Sequence, residues 1–292
     1  MSTSLRGFMY IVIAVIFWGS SASLAKYLFT TRFDTLIITQ TRSSLSFVLL
    51  AIFFLFKKRQ VFRVKKNDML LFFLVGIIGV AATNFTYYYT VQHTTVATAI
   101  LVQYTSSVFV MFYVVMISKE ESWNRMKIVA LILALAGCYF AISGGKIEQI
   151  QLHGWSLLSG PASAVCYAFM IVASKYLSRR YASETILLYS FGIATIFWLC
   201  INTPMDIYSQ GYSLYDWGVL WFFAVASILL PYSFFIASMK MLDASTIGIV
   251  SILEPIVAII VAFLALGEQL NSVQIIGAVS VIAASVMLQF KK

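Results

Sequence analysis

Long apolar stretches recur along the whole of this sequence, and each has the length that an α-helix needs to cross a bilayer, roughly 20 residues. Charged side chains are rare within them. Only 11% of the 292 residues are charged and 61% are hydrophobic, whereas soluble domains carry about 25% charged residues. A water-soluble fold of this size could not cover so much apolar surface with polar groups. We therefore predict an all-α integral membrane protein.

The apolar stretches divide into ten predicted transmembrane helices. Their approximate limits are 8–29, 36–56, 69–91, 96–117, 126–144, 154–177, 183–201, 217–240, 244–266 and 271–290. The first stretch lacks an A-x-A cleavage signature, so we expect it to be retained as a helix and not removed as a signal peptide. Very short gaps predict tight antiparallel hairpins between the third and fourth helices and between the eighth and ninth.

The basic residues indicate how these helices are oriented. With a cytoplasmic N-terminus, nearly all Lys and Arg residues between the helices fall on the cytoplasmic side, including the cluster from Lys57 to Lys66. The outer loops then hold only Arg32 and Lys146. This asymmetry follows the positive-inside rule, so we predict that both termini are cytoplasmic. Topology also accounts for the net charge of +9, and no nucleic-acid binding is predicted.

Weak internal similarity relates the two halves of the chain. A shift of 149 residues places Lys26-Tyr27-Leu28 on Lys175-Tyr176-Leu177 and Trp18 on Tyr167, and a shift of 150 places Thr95-Val96-Ala97-Thr98 on Ser245-Thr246-Ile247-Gly248. The hydropathy also divides into five helices plus five. Because five is odd, the second copy must cross the membrane in the opposite direction. We predict a first five-helix repeat at 1–147 and a second, inverted repeat at 148–292, intertwined in one membrane domain.

Inverted repeats are typical of secondary transporters, which bind substrate near the middle of the membrane between the two repeats. The two halves can rock against each other and expose such a site to either side in turn. The sequence therefore favours a secondary transporter with a central cavity.

Several segments carry a resemblance to a known family. They are Gly154–Leu177 with Ser183–Phe191, Asn84–Glu120, and Ser251-Ile252-Leu253-Glu254-Pro255 with the downstream Leu266-Gly267-Glu268. In their order and spacing they resemble EamA-type members of the drug/metabolite transporter superfamily. The resemblance implies ten helices around a cavity, transport of small organic solutes, and the inner membrane of a bacterium.

One departure from the family pattern concerns the fourth helix. The family often has a proline there, at the place matching Pro255, but this chain reads Tyr104-Thr105-Ser106-Ser107. The fourth helix is therefore expected either to bend less or to bend through hydroxyl groups that bond back to the backbone.

Arg42 is the first of two ionisable residues that the sequence places at membrane depth. It belongs to a stripe with Thr35, Thr39 and Ser46 whose spacing puts all four on one helix face. Because a charge in the membrane is costly, this face must look into the bundle. Arg42 could anchor a substrate carboxylate, or it could lock helices together through a salt bridge or a backbone carbonyl.

Glu254 is the second such residue, and it shares a helix face with Ser251. Pro255 removes a backbone donor and predicts a kink beside it. Broken helices are where transporters place their binding sites. Glu254 is thus a candidate proton carrier or a counter-ion to a substrate amine, and the alternative is a hydrogen-bonded carboxyl that only stabilises the kink.

Uncharged polar and aromatic residues complete the predicted cavity. They are Trp18, Asn84, Tyr88, Gln103, Tyr104, Tyr167 and Tyr232, of which Tyr232 is the approximate repeat partner of Asn84. They could line an aromatic, hydrogen-bonding site for amino-acid-like solutes. The alternative is that they belong to interfacial belts or hold helices together.

The predicted function is export or exchange of amino acids or amines, with protons as a candidate coupling ion and the protein as a monomer or homodimer. Alternatives are a permease for drugs or nucleotide-like metabolites, a channel, or a membrane-embedded enzyme. No nucleotide-binding or catalytic motif is present, so no enzyme activity and no cofactor are predicted. His93 and His153 lie far apart in the sequence and predict no metal site.

Overall fold

The structure, a computed structural model, describes residues 3–31, 33–146, 152–266 and 271–289. Within these ranges the chain forms helices joined by short connections and contains no strand, as predicted for an all-α membrane protein. The predicted repeat boundary at 147 and 148 lies outside the described residues, as do Arg32, Gly267, Glu268, Lys291 and Lys292.

Ten helical segments follow one another in the described ranges. They are α1 (Thr3–Thr31), α2 (Thr35–Lys57), α3 (Lys66–His93), α4 (96–117), α5 (Arg125–Ser143), α6 (Ser156–Ser178), α7 (Ser183–Ile201), α8 (Leu214–Ser238), α9 (Ala244–Ser251 continued by Glu254–Leu266) and α10 (Ser272–Gln289). Short helical turns at Arg59–Phe62 and Pro204–Ser209 lie in the connections before α3 and α8.

Nine of these segments, α1 to α9, each contain a described stretch that is long and apolar enough to cross a membrane. In α10 the described apolar stretch, Ser272–Leu288, is shorter. The protein is therefore a multi-pass helical membrane protein, and the tenth span remains a prediction.

The ends of the helices follow from local capping chemistry. The Asp34 carboxylate accepts hydrogen bonds from the backbone N–H groups of Leu36 (2.6 Å) and Ile37 (3.0 Å) and so begins α2. Gly144 ends α5 with a φ of +59°, a left-handed conformation that glycine adopts without steric cost.

The first five helices pack mainly against the last five. The segment α5 lies along α10 and α2 along α7, while α1 packs against α8 and α9, and α6 packs against α3 and α4. Exchanging each helix with the one five places away in the other half converts the α1–α8 contact into the α6–α3 contact, and it leaves the α5–α10 and α2–α7 contacts unchanged. The contact pattern thus has the symmetry expected of two equivalent halves.

Two of the helices are interrupted inside the bundle. The segment α4 breaks at Thr105, whose hydroxyl donates to the carbonyl oxygen of Val102 at 2.6 Å. The segment α9 breaks at Ile252 and Leu253, just before Pro255. The fourth helix is therefore interrupted without a proline, at a residue whose hydroxyl bonds back to the backbone.

Candidate substrate cavity

A small buried cavity lies inside the bundle, between α1, α2, α3, α4, α6, α8 and α9. Its lining residues are Trp18, Ser21, Arg42, Thr83, Asn84, Tyr87, Tyr88, Gln103, Tyr104, Tyr167, Tyr232 and Glu254. Nine of the ten residues predicted from the sequence are therefore brought together. The cavity has a volume of about 40 Å³, far below the roughly 300–1,000 Å³ of ordinary ligand pockets, so in this conformation it is contracted.

Ser251 is the predicted residue that is not part of this lining, although its side chain is hydrogen-bonded to that of Tyr167, which is part of it. It is buried, and its hydroxyl donates to the carbonyl oxygen of Ile247 at 2.8 Å. This hydroxyl bonds back to the backbone of the first half of α9.

Arg42 is almost completely buried, with 1% of its surface exposed. Its guanidinium carbon lies 4.6 Å from the centre of the Tyr88 ring and 4.9 Å from that of Phe223, so two aromatic faces stabilise the charge. One donor, Nη2, is bonded to the carbonyl oxygen of Ser227 at 2.7 Å. Within the described part of the chain, Nε and Nη1 have no hydrogen-bond acceptor.

The Ser227 carbonyl is available to Arg42 for a reason that can be read in the sequence. Pro231 lies four residues further along α8 and has no N–H group to donate to it. The surrounding turn, Val225–Leu229, is π-helical, a local widening that often marks functional positions. Arg42 therefore acts as a carbonyl clamp between α2 and α8, and its side chain is also hydrogen-bonded to that of Tyr88.

Glu254 begins the second half of α9 and is 8% exposed. The hydroxyl of Tyr104, at the end of the first half of α4, donates a hydrogen bond to its Oε2. No ion pair joins Glu254 to a described basic side chain. The carboxylate thus lies at the breaks of both interrupted helices.

Tyr87 and Tyr88 line the cavity together with the two charged groups. Both interact electrostatically with Arg42 and with Glu254. The Tyr87 hydroxyl is buried and has no hydrogen-bond partner among the described residues. The cavity lining thus contains a guanidinium, a carboxyl group and a tyrosine hydroxyl without a described hydrogen-bond partner.

Three contacts here join residues that are 148 to 150 positions apart, which is the spacing of the predicted repeat. The rings of Trp18 and Tyr167, which are 149 positions apart, have centres 6.5 Å apart. Asn84 Nδ2 donates to the Tyr232 hydroxyl at 3.0 Å, across a separation of 148 positions. Tyr104 and Glu254 are 150 positions apart.

Ser21, Thr83 and Tyr87 line the cavity but were not predicted from the sequence. A spacing signal was available for two of them, because Ser21 follows Trp18 by three residues and Tyr87 follows Asn84 by three residues, and such neighbours share a helix face. Among the described residues, no group of three or more His, Cys, Asp or Glu side chains could hold a metal ion.

Comparison with known proteins places the chain among transporters. It is 26% identical over 279 residues to the threonine/homoserine exporter RhtA of Escherichia coli (strain K12), covering 94% of this chain and 88% of that protein. It is 20% identical over 293 residues to the inner membrane transporter YicL of Salmonella typhimurium (strain LT2), covering 99% of this chain and 96% of YicL.

A solved crystal structure shares the fold, with a TM-score of 0.75 and 17% sequence identity, over 98% of this chain and 96% of that one. The model of the EamA-like transporter family matches residues 5–143 and again residues 154–290. These two matches cover almost the whole sequence, and the chain belongs to the EamA-like transporter family.

Proposed function

We propose that this protein is a secondary transporter that exports or exchanges small amino acids or amines across the inner membrane by alternating access. The observation that carries the proposal is one buried polar cavity, lined by both halves of the chain, that contains Arg42 and Glu254. Ionisable groups at this depth are costly, and they mark substrate and ion pathways in membrane proteins.

The proposal takes residues 1–147 and 148–292 as two inverted repeats. Three observations support it: the paired contacts of equivalent helices, the three cavity contacts between residues 148 to 150 positions apart, and the two separate matches to the family model. Inverted halves have similar energies facing either side, which is what alternating access requires.

In the present conformation the cavity is too small for an amino acid. We take this as an occluded state, from which substrate is admitted when the two halves move apart. The breaks at Thr105 and at Ile252 and Leu253 lie directly beside Tyr104 and Glu254, so a bend at either break would move a cavity residue. Discontinuous helices of this kind carry binding sites in other transporters.

The names of the relatives support the substrate class and the location. RhtA is named for export of threonine and homoserine, and YicL is named as an inner membrane transporter. The substrates in the name of RhtA fit a cavity lined by charged, hydroxyl and amide groups, which suits a small polar solute better than an apolar drug.

Proton coupling is the second element of the proposal. Glu254 is a buried carboxyl that accepts a hydrogen bond from Tyr104 and has no described basic partner. A proton and a substrate ammonium group would compete for the Glu254 carboxylate. Because only one of them can occupy it at a time, the proton and the substrate would cross the membrane in opposite directions. Removal of this carboxyl is therefore expected to uncouple transport from the proton gradient.

Counterflow in proteoliposomes tests the proposal. Vesicles are loaded with pooled unlabelled amino acids, and the entry of labelled tracers is followed one at a time. Tracer that accumulates only when the internal pool is present would identify a carrier and its substrate class. If neither amino acids nor amines accumulate, with folded and inserted protein, the proposed substrate class is wrong.

A further inference from the structure

A second pocket lies at the end of the bundle that the sequence predicts to be cytoplasmic. It is formed by the connection from α2 to α3 and the connection from α6 to α7, so its walls come from both halves of the chain. Its volume is about 460 Å³, within the roughly 300–1,000 Å³ of ordinary ligand pockets. This pocket is separate from the central cavity and shares no lining residue with it.

Basic side chains dominate the lining of this second pocket. Its described lining residues include no acidic side chain and four basic ones, namely Lys58, Arg63, Lys65 and Arg180. Two of the four already have a carboxylate partner, because Lys58 and Arg180 each form an ion pair at 2.9 Å. No described carboxylate forms an ion pair with Arg63 or Lys65. Two positive charges in the pocket are therefore uncompensated.

Hydrogen bonds between the two connections fix the shape of the pocket. The Tyr181 hydroxyl accepts from the backbone N–H of Lys65 at 3.2 Å and donates to the Asp68 carboxylate at 2.6 Å. The Tyr189 hydroxyl donates to the carbonyl oxygen of Phe62 at 2.8 Å. The backbone that carries the two unpaired cations is thus held in place before a ligand arrives, which lowers the cost of binding.

The pocket lies at the depth where the lipid-facing surface of the protein begins. The end of α2 and the start of α3 carry exposed apolar side chains, among them Phe56 (87% exposed) and Leu70 (68% exposed). Lys58 follows Phe56 by two residues, and Lys65 precedes Leu70 by five. Apolar side chains that face lipid, followed at once by basic ones, mark the boundary between the hydrocarbon and the phospholipid headgroups.

A phosphate group has the chemistry that the two unpaired cations require. The guanidinium of Arg63 can bind two phosphate oxygens in parallel, and the ammonium of Lys65 adds a point charge with three donors. Anionic lipids give the cytoplasmic leaflet a negative surface potential, and basic pockets between helices on that side bind their headgroups. A zwitterionic headgroup carries a positive charge of its own, which the same cations would repel.

We infer that this pocket binds the phosphate headgroup of an anionic phospholipid. Arg63 and Lys65 contact the phosphate oxygens, and the acyl chains extend along the exposed apolar side chains of α2 and α3. The bound headgroup contacts the connections of both halves. Membrane topology by itself accounts for basic residues near the ends of helices, but it requires no pocket and no particular position within the basic segment. The position of the charges therefore distinguishes a lipid site from topology alone.

Native mass spectrometry of the purified protein, in a detergent without charge, measures the fraction of protein with bound lipid. Phosphatidylglycerol should bind more tightly than phosphatidylcholine. The double variant Arg63→Gln/Lys65→Gln should weaken phosphatidylglycerol about 10- to 30-fold, since each cation near a membrane surface contributes about 5-fold. It should leave phosphatidylcholine unchanged. Both residues are exposed, so the variant should fold, and its thermal unfolding without added lipid checks this.

Lys57→Gln/Lys66→Gln is the matched control. It removes the same charge from the same connection, but neither residue lines the pocket. This variant should keep most of the affinity for phosphatidylglycerol. If it loses as much affinity as Arg63→Gln/Lys65→Gln, the lipid responds only to the general positive charge of the segment, and the pocket is overturned as a site.

Inorganic phosphate and glycerophosphate distinguish a lipid from a soluble ligand. In large molar excess they should displace little phosphatidylglycerol, because they lack the acyl chains that hold the lipid against α2 and α3. Full displacement by either one would overturn the assignment to a lipid. Equal binding of phosphatidylglycerol and phosphatidylcholine would overturn the selection of an anionic headgroup. The measurement needs no transported substrate, so its result does not depend on the proposed function.

Discussion

The hydroxyl of Tyr104 donates a hydrogen bond to the carboxylate of Glu254, which lies 150 residues further along the chain. Each lies beside a break in its helix, at Thr105 in α4 and at Ile252 and Leu253 in α9. The contact therefore joins the two interrupted helices at the centre of the protein. Any movement that separates the halves must break it or carry it along.

Glu254→Gln is expected to remove the pH dependence of exchange. In the wild-type protein, protonation makes Glu254 neutral and removes the partner of a substrate ammonium, so the half-saturation concentration should rise as the pH falls. The amide variant should show a high half-saturation concentration at every pH while it still exchanges saturating substrate. Counterflow across a pH series measures this, and a variant that keeps the wild-type profile would exclude Glu254 as the titrating group.

Lys127→Met is expected to destabilise the protein strongly. The Lys127 ammonium is 2.6 Å from Glu121 and 2.9 Å from Asp243, and its side chain is 5% exposed. Its removal leaves the Glu121 carboxylate buried without a cation, which costs about 3–5 kcal/mol. Thermal unfolding of the purified protein measures the loss.

The matched control for Lys127 is Lys58→Met. Lys58 is 2.9 Å from Glu184, but the two side chains are 49% and 36% exposed. An exposed pair contributes about 0–1 kcal/mol, so this variant should unfold close to the wild-type temperature. If the two substitutions lowered the unfolding temperature equally, burial of the ion pair would not explain the effect of Lys127→Met.

Gly277→Ala is expected to separate α5 from α10. A methyl group at this position would contact the backbone nitrogen of Ala141 and lie 2.6 Å from the carbonyl oxygen of Gly137. Backbone atoms cannot move aside as a flexible side chain can, so we expect a loss of about 1–3 kcal/mol. Gly218→Ala, with nothing within 4 Å of the added methyl, should instead leave stability unchanged or raise it by about 0.5–1 kcal/mol. Thermal unfolding compares the two.

Cysteine labelling tests the predicted orientation. In a background with Cys200→Ala, which removes the exposed native thiol, single Tyr208→Cys and Trp123→Cys variants are treated with a membrane-impermeant maleimide. Tyr208 and Trp123 are 80% and 62% exposed in connections at opposite ends of the helices. The 208 variant should react in intact cells and the 123 variant only after permeabilisation, and the reverse result would place both termini outside.

The cavity residues show which positions helix periodicity can predict and which it cannot. Helix periodicity of 3.6 residues per turn predicted that Arg42 shares an inward face with Thr35, Thr39 and Ser46. All four residues are buried in the structure, as predicted. The same reasoning placed Ser251 beside Glu254, but the helix breaks at Ile252 and Leu253 between them. Angular spacing does not carry across a break, so the helix period alone could not predict where Ser251 lies relative to Glu254.

The sequence by itself determined that this chain is a membrane protein and roughly where its helices lie, because both properties follow from local hydropathy. It also determined that Arg42 and Glu254 face inward, because exposing a charge to lipid is costly. Only the tertiary structure decided which side chains meet. The contact of Tyr104 with Glu254 and the unpaired hydroxyl of Tyr87 depend on how helices far apart in the sequence pack together. No local pattern encodes that packing, since each helix has several faces and many possible neighbours.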